Sequence, residues 1–370
     1  MKMKAAVCRA YNKPISIEEV ELSPPKANEV LVKTMYTALC HSDWSAVAGY
    51  LGVSIPAVLG HESAGIIFDV GPGVTSVKKG DHVVASWAVP CGKCKLCANG
   101  QGHICDTNRQ FFIDGTLLDG TSRLTDANGK RLCHSTFVSG FAEYMVIPEQ
   151  GAIKVKEDFP LDQACFIACC MPTGFGAVYN VAKVKPGNSV AIWGMGGVGL
   201  NVVQGAKLRG AHPIIGVDIE ASKEAIAREF GATHFIDSRK EDPVPKVQGL
   251  TNGGADFVFE ATGEVGAIAQ AYWALGIGGK HIQIGIHSMH EKVPMSLAFT
   301  PPHNKDIKGC LYGNVDVSHD LRMLADMVMD GRYINLSKLI TKKFRLEQIN
   351  DAFEAMTKRQ IIGRWVCTFE

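Results

Sequence analysis

The sequence has almost no net charge and no long apolar run. Its 370 residues carry 38 Lys and Arg against 37 Asp and Glu, a formal net charge of +1 at pH 7. A chain so close to neutral has no field that would attract nucleic acid or an anionic membrane surface. No run of about 18 apolar residues occurs, so no membrane-spanning helix is predicted. We therefore expect neither nucleic acid nor a membrane as a partner.

The amino terminus shows no targeting signal. Residues 1–9 contain no apolar run long enough for a signal peptide. We therefore predict a cytoplasmic protein whose twelve cysteines are reduced thiols. Four of these cysteines fall within residues 91–105, a clustering that favours a metal site over disulfides.

Glycine, by contrast, is abundant, and the chain is long. A length of 370 residues favours two domains over a single core. The 39 glycines indicate tight turns and close backbone approaches, as in nucleotide-binding α/β folds. Short alternating segments predict a mostly β structure up to about residue 150. From about residue 170, helical and buried-strand patterns alternate, which predicts βα units with a parallel sheet.

A four-cysteine motif lies in the β-rich part. Cys91, Cys94 and Cys97 are spaced by two residues, and Cys105 follows closely. Four thiolates can surround one ion tetrahedrally and close its coordination sphere, so this pattern predicts a structural zinc site. An iron–sulfur cluster is the alternative that spacing leaves open. The polar segments 119–123 and 128–130 that follow are predicted to form a surface loop carried by this lobe.

A second, incomplete metal site precedes this motif. Cys40-His41-Ser42-Asp43 and Gly60-His61-Glu62 supply a thiolate, two imidazoles and two carboxylates. Catalytic zinc takes three protein ligands and keeps a fourth position open. The sequence therefore predicts that a third ligand comes from another part of the chain.

A glycine motif marks the start of the α/β part. The apolar run Ser189 to Trp193 is typical of a buried parallel strand, and Gly194, Gly196 and Gly199 follow at once. Gly194 permits a tight turn and Gly196 lets the backbone approach a pyrophosphate. Gly199 allows the following helix to pack closely on the strand. This arrangement predicts a dinucleotide site.

An acidic residue at the end of the next strand indicates which dinucleotide binds. Asp218 lies nineteen residues after Gly199. A carboxylate at this place bonds the ribose 2′-hydroxyl, and with Glu220 it repels a 2′-phosphate. We therefore predict NAD rather than NADP.

Together these motifs resemble those of zinc-dependent alcohol dehydrogenases of the medium-chain dehydrogenase/reductase superfamily, in order and spacing and over essentially the whole chain. The motif Thr173-Gly174-x-Gly176 adds to the likeness. The resemblance implies an α/β protein with a GroES-like β-rich catalytic domain (1–170 and 315–370) that includes the structural zinc lobe (91–105). It further implies a Rossmann domain with a doubly wound parallel sheet for the coenzyme (171–314). Two zinc ions per chain, one catalytic and one structural, and NAD are the implied cofactors.

The resemblance also implies the third catalytic ligand. In the family this ligand is a cysteine four residues before the threonine of the motif, which is Cys169 here. The adjacent Cys170 is the alternative that residue chemistry leaves open, as a packed core thiol otherwise. Asp43 is implied to orient the imidazole of His61. Glu62 would be either an alternate zinc ligand or a buried acid paired with Arg364.

Further roles are carried over from the family to matching positions. At the pyrophosphate, the implied cofactor contacts are His41 and Arg364 together with the phosphate turn of Gly194, Gly196, Gly197 and Gly199. Thr173 and Val198 would pack against the nicotinamide, whose carboxamide would bind backbone near Ile284, Cys310 and Tyr312. Lys223 would lie along the adenosine. Ser42 is the implied first proton acceptor. Many relatives complete the relay with a histidine three residues later, but this chain has Ser45. The relay would then end through His41 or water.

Substrate preference follows from the residues at the implied pocket. Trp87, Tyr50 and Leu51 are large and apolar, which favours an aromatic, allylic or longer-chain alcohol. Arg109 matches an arginine of glutathione-dependent formaldehyde dehydrogenases, although those enzymes carry an acidic pair at the positions of Tyr50 and Leu51. Activity on S-(hydroxymethyl)glutathione is therefore the alternative. The segment 119–123 resembles the long zinc lobe of the dimeric members and predicts a homodimer.

Overall fold

The computed structural model describes residues 1–288, 291–332 and 336–369. Two compact units are formed, Met1–Cys169 with Asp316–Glu370 and Cys170–Val315. The first unit therefore uses both ends of the chain. The assignment of catalytic and coenzyme roles to domains bounded at 170/171 and 314/315 stays a prediction.

The strands are, in chain order, β1 Lys2–Cys8, β2 Ser16–Leu22, β3 Glu29–Ala38, β4 Ala57–Val58, β5 Glu62–Val70, β6 His82–Ala85, β7 Leu124–Thr125, β8 Arg131–His134, β9 Tyr144–Pro148, β10 Ala152–Lys154, β11 Val190–Trp193, β12 Ile214–Asp218, β13 His234–Asp237, β14 Ala255–Glu260, β15 Leu275–Gln283, β16 Asp306–Gly309, β17 Ile340–Arg345 and β18 Arg364–Thr368.

The helices are α1 His41–Val47, α2 Lys95–Ala98, α3 Asp106–Asp114, α4 Leu161–Ala164, α5 Cys170–Gly176, α6 Gly197–Leu208, α7 Glu224–Phe230, α8 Pro243–Leu250, α9 Val265–Trp273, α10 Asp320–Met329 and α11 Ile349–Thr357. A π-helical turn, Ala177–Ala182, directly follows α5. In the described part, no single helix is long and apolar enough to cross a membrane; the segments Leu161–Ala168 and Cys170–Ala182 reach that length only when taken together.

The first unit is built on two β structures. A closed barrel has the strand order β1-β2-β7-β8-β4, and a seven-stranded sheet has the order β10-β6-β5-β3-β18-β17 with β9 paired to β3. Strand β3 is central because it pairs with β5, β9 and β18. Apolar side chains fill the unit in three buried clusters. The β-rich character predicted for this part of the chain is confirmed.

The predicted surface loop after the zinc lobe is wrong for part of its length. Strand β7 lies within residues 119–130 and β8 follows directly, and both strands belong to the closed barrel. Arg123 is only 1% exposed and bonds the carboxylates of Glu29 and Asp119. A polar side chain can be buried where opposite charges satisfy it, and sequence polarity alone does not reveal such partners.

The second unit contains one fully parallel sheet. Its strand order is β13-β12-β11-β14-β15-β16, and every neighbouring pair is parallel. In chain order this is 3-2-1-4-5-6, the order of dinucleotide-binding doubly wound sheets. The order reverses between β11 and β14, so the ligand crevice is expected at the carboxyl ends of these two strands. The α/β class and the parallel sheet are confirmed.

Local sequence explains the first βα turn of this sheet. All four residues of β11 are buried, as expected for a strand covered on both faces. Gly194 has φ of 94°, a conformation that favours glycine. A Cβ at Gly199 would lie 1.8 Å from the Gly194 carbonyl oxygen. Glycine at these two positions therefore permits the turn and the close start of α6.

Candidate active site and metal centres

The four cysteines of the lobe converge on one point. Their sulfur atoms lie within 4.8 Å of one another. The Sγ atoms of Cys91 and Cys97 are 3.9 Å apart, and those of Cys94 and Cys105 are 4.0 Å apart. A tetrahedron with Zn–S bonds of about 2.3 Å has edges of about 3.8 Å. The arrangement therefore fits a single zinc ion with four thiolate ligands.

Backbone donors support the thiolate form in part of this group. The Cys97 N–H donates to the Cys94 sulfur at 3.4 Å and lowers the pKa of Cys94 to about 5. Burial, with the neighbouring Cys94 sulfur, raises the pKa of Cys97 to about 12. Four negative sulfurs so close together repel one another unless a cation offsets them. The donor set is therefore that of a metal site.

A second group of potential ligands lies inside the first unit. Ligand atoms of Cys40, His61, Glu62 and Cys169 lie within 4.8 Å of one another. Cys40 follows β3 and immediately precedes α1, and Glu62 begins β5, which pairs with β3. Cys169 ends a short 3₁₀ helix after α4. The fold thus brings two distant parts of the sequence, residues 40–62 and residue 169, to one place.

Asp43 holds the imidazole of His61 in a defined orientation. The Nδ1 of His61 lies 3.0 Å from Asp43 Oδ1, which also accepts from the Gly60 N–H at 3.1 Å. Donation from Nδ1 leaves Nε2 as the lone-pair nitrogen available to a metal. Burial alone would lower the pKa of His61, but the charges of Asp43 and Cys40 raise it well above its usual value.

Glu62 is fully buried and paired. Arg364 Nη2 donates to Glu62 Oε2 at 2.5 Å. Burial raises the pKa of Glu62 to about 8 although Arg364 opposes this. Glu62 Oε1 and Asp43 Oδ2 are buried without a hydrogen-bond partner among the described residues. Buried acceptors without donors are costly, and Glu62 Oε1, beside the thiols of Cys40 and Cys169, suits a divalent cation.

The structure separates the two adjacent cysteines. Cys169 belongs to the group with Cys40 and His61, whereas Cys170 lies in the core of the second unit. The Cys170 sulfur is 3.9 Å from the Asn201 side-chain nitrogen, and Cys170 is fully buried. Cys165, which is also fully buried, lies outside both groups of ligands.

In the second unit, Asp218 faces the glycine turn. Its Oδ2 accepts from the Met195 N–H at 2.7 Å and from Lys223 Nζ at 3.0 Å. Its Oδ1 accepts from the Glu220 N–H at 2.9 Å. These bonds fix the carboxylate at the end of β12, beside the turn after β11. Asp218 and the glycine turn are therefore brought together, as the motif requires.

The other predicted positions divide between the two units. In the first unit Ser42 is half-buried, while His41, Tyr50 and Arg109 are exposed and Trp87 and Leu51 are half-buried. In the second unit Thr173, Gly197, Cys310 and Tyr312 are buried, and Val198 and Ile284 are half-buried. The roles assigned to these residues stay predictions.

Sequence reasoning missed Trp44 at this site. Its ring meets His41 edge-on at 5.1 Å and Tyr50 at 5.7 Å between centroids. The spacing of three residues from His41 to Trp44 places both on one face of α1. That spacing was the available signal, and it extends the aromatic surface beyond Tyr50.

The family comparisons cover most of the chain. The alcohol dehydrogenase GroES-like domain matches residues 26–157, and the zinc-binding dehydrogenase family matches residues 197–330. An S-(hydroxymethyl)glutathione dehydrogenase of Paracoccus denitrificans is 38% identical over 365 residues, covering 96% of this chain and 97% of its own.

Solved structures agree with this relationship. An alcohol dehydrogenase zinc-binding domain protein from Burkholderia ambifaria is 36% identical with a TM-score of 0.93, covering 100% of this chain and 99% of that one. A benzyl alcohol dehydrogenase from Acinetobacter calcoaceticus is 31% identical with a TM-score of 0.93, covering 100% of both chains. The predicted GroES-like and Rossmann folds are thereby confirmed. The chain belongs to the zinc-dependent alcohol dehydrogenases of the medium-chain dehydrogenase/reductase superfamily, with zinc and NAD as its cofactors.

Proposed function

We propose that this alcohol dehydrogenase oxidises S-(hydroxymethyl)glutathione with NAD. The relationship to a dehydrogenase of that name over 96% of the chain carries the proposal. Glutathione has two carboxylates, which guanidinium groups bind well. Arg109 is exposed on α3 and makes no ion pair among the described residues, so its charge is available to such a substrate. This proposal reverses the preference drawn from the sequence, where the glutathione adduct was the alternative.

An apolar or aromatic primary alcohol is the second candidate. Trp44 and Tyr50 form an aromatic pair next to His41, and Trp87 contacts Phe112 at 6.3 Å between ring centroids. Such surfaces favour aromatic substrates over polar ones. The structural likeness to a benzyl alcohol dehydrogenase also supports this candidate.

In the first unit, the residues around Cys40 would act in catalysis. Zinc at this site would supply a Lewis acid for the alcohol oxygen, and NAD would accept the hydride. Asp43 keeps His61 in the tautomer that leaves Nε2 free to bind metal. Arg364 holds Glu62 and balances its charge inside the core. With His61, the side chains of Cys40 and Cys169 would supply the three protein ligands of such a zinc ion.

Ser42 is the residue that we propose accepts the substrate proton. It stands in the first turn of α1, two residues after Cys40, and its side chain is half-buried. Its hydroxyl can accept a proton from an alcohol and donate its own onward. His41, the next residue toward Cys40, and water are the two routes by which this proton would leave.

In the second unit, Asp218 would determine the preference for NAD over NADP. Its carboxylate lies at the end of β12 and is held by three donors. A ribose 2′-hydroxyl can replace part of these contacts, whereas a 2′-phosphate would meet a fixed negative charge. NAD should therefore bind more tightly than NADP.

The two substrate candidates are distinguished by paired variants. Arg109→Ala should raise KM for S-(hydroxymethyl)glutathione about tenfold, the factor that 1.4 kcal/mol represents, and leave benzyl alcohol unchanged. Lys95→Ala, an exposed cation on the neighbouring α2, is the matched control. Steady-state NADH formation with both substrates is the measurement. Turnover of benzyl alcohol alone, with no activity on the glutathione adduct, would refute the first candidate and support the second.

We also propose that the protein is a homodimer. Strand β16 ends the parallel sheet and has no strand on its other side among the described residues, and all four of its residues are exposed. Ile277, Ile286 and Ile307 are exposed apolar residues of the same unit. An open edge with apolar neighbours is suited to pairing with a second copy. Light scattering after size exclusion should give twice the chain mass, and Ile307→Lys should shift it toward the monomer.

A further inference from the structure

Glu260 lies where the second unit's sheet reverses its strand order. It is the last residue of β14, which neighbours β11 at the reversal point. Its backbone carbonyl accepts from the N–H groups of Ile284 and Gly285, each at 2.9 Å. Glu260 is therefore attached to the segment that follows β15, where contacts to the nicotinamide carboxamide are predicted.

The side chain of Glu260 binds both segments at once. Its Oε1 accepts from the Thr262 N–H at 2.7 Å and from the Thr262 hydroxyl, and the Gly263 N–H donates at 3.1 Å. Its Oε2 accepts from Gln283 Nε2 at 2.8 Å. One carboxylate thus joins the turn after β14 to the end of β15.

The chain packs too tightly here for side chains to intervene. A Cβ at Gly285 would lie 2.2 Å from the Gly263 nitrogen and 2.6 Å from Glu260 Oε2. A Cβ at Gly194 would lie 2.8 Å from the Thr262 methyl carbon. The phosphate turn after β11 therefore contacts the turn after β14, which contacts the segment after β15.

The carboxylate is buried without a cation. Glu260 is 0% exposed, and among the described residues no Lys or Arg forms an ion pair with it. Burial raises its pKa, while the Thr262 hydroxyl and the other donors oppose this. Gln283 is itself oriented, because its Oε1 lies 2.8 Å from His281 Nε2 and its Nε2 also donates to the Gly285 carbonyl. An acid with several fixed donors holds geometry more strictly than an apolar side chain of equal size.

We propose that Glu260 is a positioning residue, which joins the turns after β14 and β15 so that backbone at Ile284 is presented to the nicotinamide. This inference rests on the proposed function, since it assumes that NAD binds at this sheet edge. The adenosine half of the cofactor is predicted to contact Asp218 and Lys223, at the end of β12. Loss of Glu260 should therefore affect the nicotinamide half of the cofactor and spare the adenosine half.

The test compares two ligands that differ in nicotinamide. Kd values for NADH and for ADP-ribose are measured by fluorescence and calorimetry on the zinc-loaded protein. Glu260→Ala should raise the Kd of NADH about tenfold, which corresponds to 1.4 kcal/mol, and change that of ADP-ribose by less than about twofold. Glu260→Gln keeps an acceptor for Thr262 but loses the bonds that Oε2 accepts from Gln283 Nε2 and, at 3.1 Å, from the Gly263 N–H. Its effect on NADH should therefore be smaller than that of Glu260→Ala and in the same direction.

A matched control lies on the same strand. Asp256 accepts from Ser189 N–H at 2.8 Å, from the Ser189 hydroxyl at 3.0 Å and from Asn188 Nδ2 at 3.3 Å, at the amino-terminal end of β14. Asp256→Asn removes an exposed carboxylate that also bonds a neighbouring backbone N–H and side chains, four residues before Glu260 on β14. It should lower the melting temperature and leave the ratio of the two Kd values unchanged.

The possible outcomes separate this inference from the proposed function. If the wild-type protein binds neither NADH nor ADP-ribose, both the proposed function and the positioning role of Glu260 are refuted. If it binds both ligands and the Glu260 variants weaken them equally or not at all, only the positioning role is refuted. A selective loss of NADH affinity in Glu260→Ala, with partial recovery in Glu260→Gln and none in the control, supports it.

Discussion

At the scale of single residues, neighbours in sequence have different surroundings. Cys169 and Cys170 are adjacent, yet one lies with Cys40 and His61 and the other lies beside Asn201. The family spacing favoured Cys169, but the chemistry of two adjacent thiols could not separate them. The backbone at Cys169 has φ of −152° and ψ of −70°, outside helical values, so the chain turns between the two residues.

The two cysteines should respond differently to substitution. Cys169→Ser should lower the zinc content from two ions per chain to about one, because oxygen replaces a thiolate ligand. Cys170→Ser should keep both ions and reduce stability by about 1–3 kcal/mol, since a hydroxyl is buried in a core. Zinc counting by mass spectrometry and urea unfolding measure these effects. Loss of one zinc in Cys170→Ser alone would contradict the assignment.

A buried histidine makes stability depend on pH. His134 is 1% exposed and accepts from the backbone N–H of Arg123 at 3.1 Å. Burial, with the nearby Arg123 and Arg131 charges, lowers the pKa of His134 from 6.5 to about 3. Between these values the unfolded chain binds a proton that the folded chain does not. The contribution of His134 to the free energy of unfolding is therefore complete above pH 6.5. It is lost as the pH falls toward 3, by about 1.4 kcal/mol per pH unit.

This dependence is measured by urea unfolding between pH 7 and 5. His134→Gln keeps an acceptor for the Arg123 N–H and has no group that titrates. Its free energy of unfolding should therefore fall less steeply over this range than that of the wild-type protein. Equal slopes in the two proteins would show that His134 is not the group responsible.

At the scale of secondary-structure elements, those that depend on residues close together in the sequence were predictable. Strand β11, the glycine turn and helix α6 match the predicted pattern because each depends on residues that are close in sequence. The short strands β7 and β8 were not predicted. Each has only two to four residues, and Arg123, which directly precedes β7, pairs with Glu29, ninety-four residues away in the sequence.

Replacing the buried Arg123 should lower the free energy of unfolding more than replacing its more exposed partner Asp119. Arg123→Met leaves the Glu29 carboxylate buried without its cation, which should cost about 3–5 kcal/mol. Asp119→Asn, at a partner that is 36% exposed, should cost less than about 1 kcal/mol. Chemical unfolding measures both, and the double variant Arg123→Met with Glu29→Met should recover part of the loss. Equal effects of the first two substitutions would contradict the buried pairing.

At the scale of the whole molecule, the two groups of metal ligands and the dinucleotide motif belong to separate units. Both cysteine groups lie in the unit formed by 1–169 and 316–370, and the glycine turn, Asp218 and Glu260 lie in the unit formed by 170–315. The chain passes between the units at 169/170 and at 315/316. Metal and dinucleotide should therefore stabilise different segments of the chain.

Hydrogen exchange can show this division. NADH at about one hundred times its Kd should stabilise the folded protein by about 2.7 kcal/mol, with slower exchange in residues 194–201 and 218–223. Cys97→Ser should speed exchange in residues 91–114 and leave those two segments unchanged. Protection by NADH that is confined to the four-cysteine lobe would contradict the assignment of the two sites.

The sequence by itself determined the features that depend on short spacing. The four-cysteine lobe, the glycine turn with Asp218, and the succession of a β-rich part and a βα part follow from residues a few positions apart, whose geometry the backbone constrains. The tertiary structure decided which of Cys169 and Cys170 lies beside Cys40, that Arg364 pairs with Glu62, that Arg123 is buried and that Glu260 joins two turns. These contacts join strands and turns that are distant in sequence, and only their packing brings the partners within hydrogen-bonding distance.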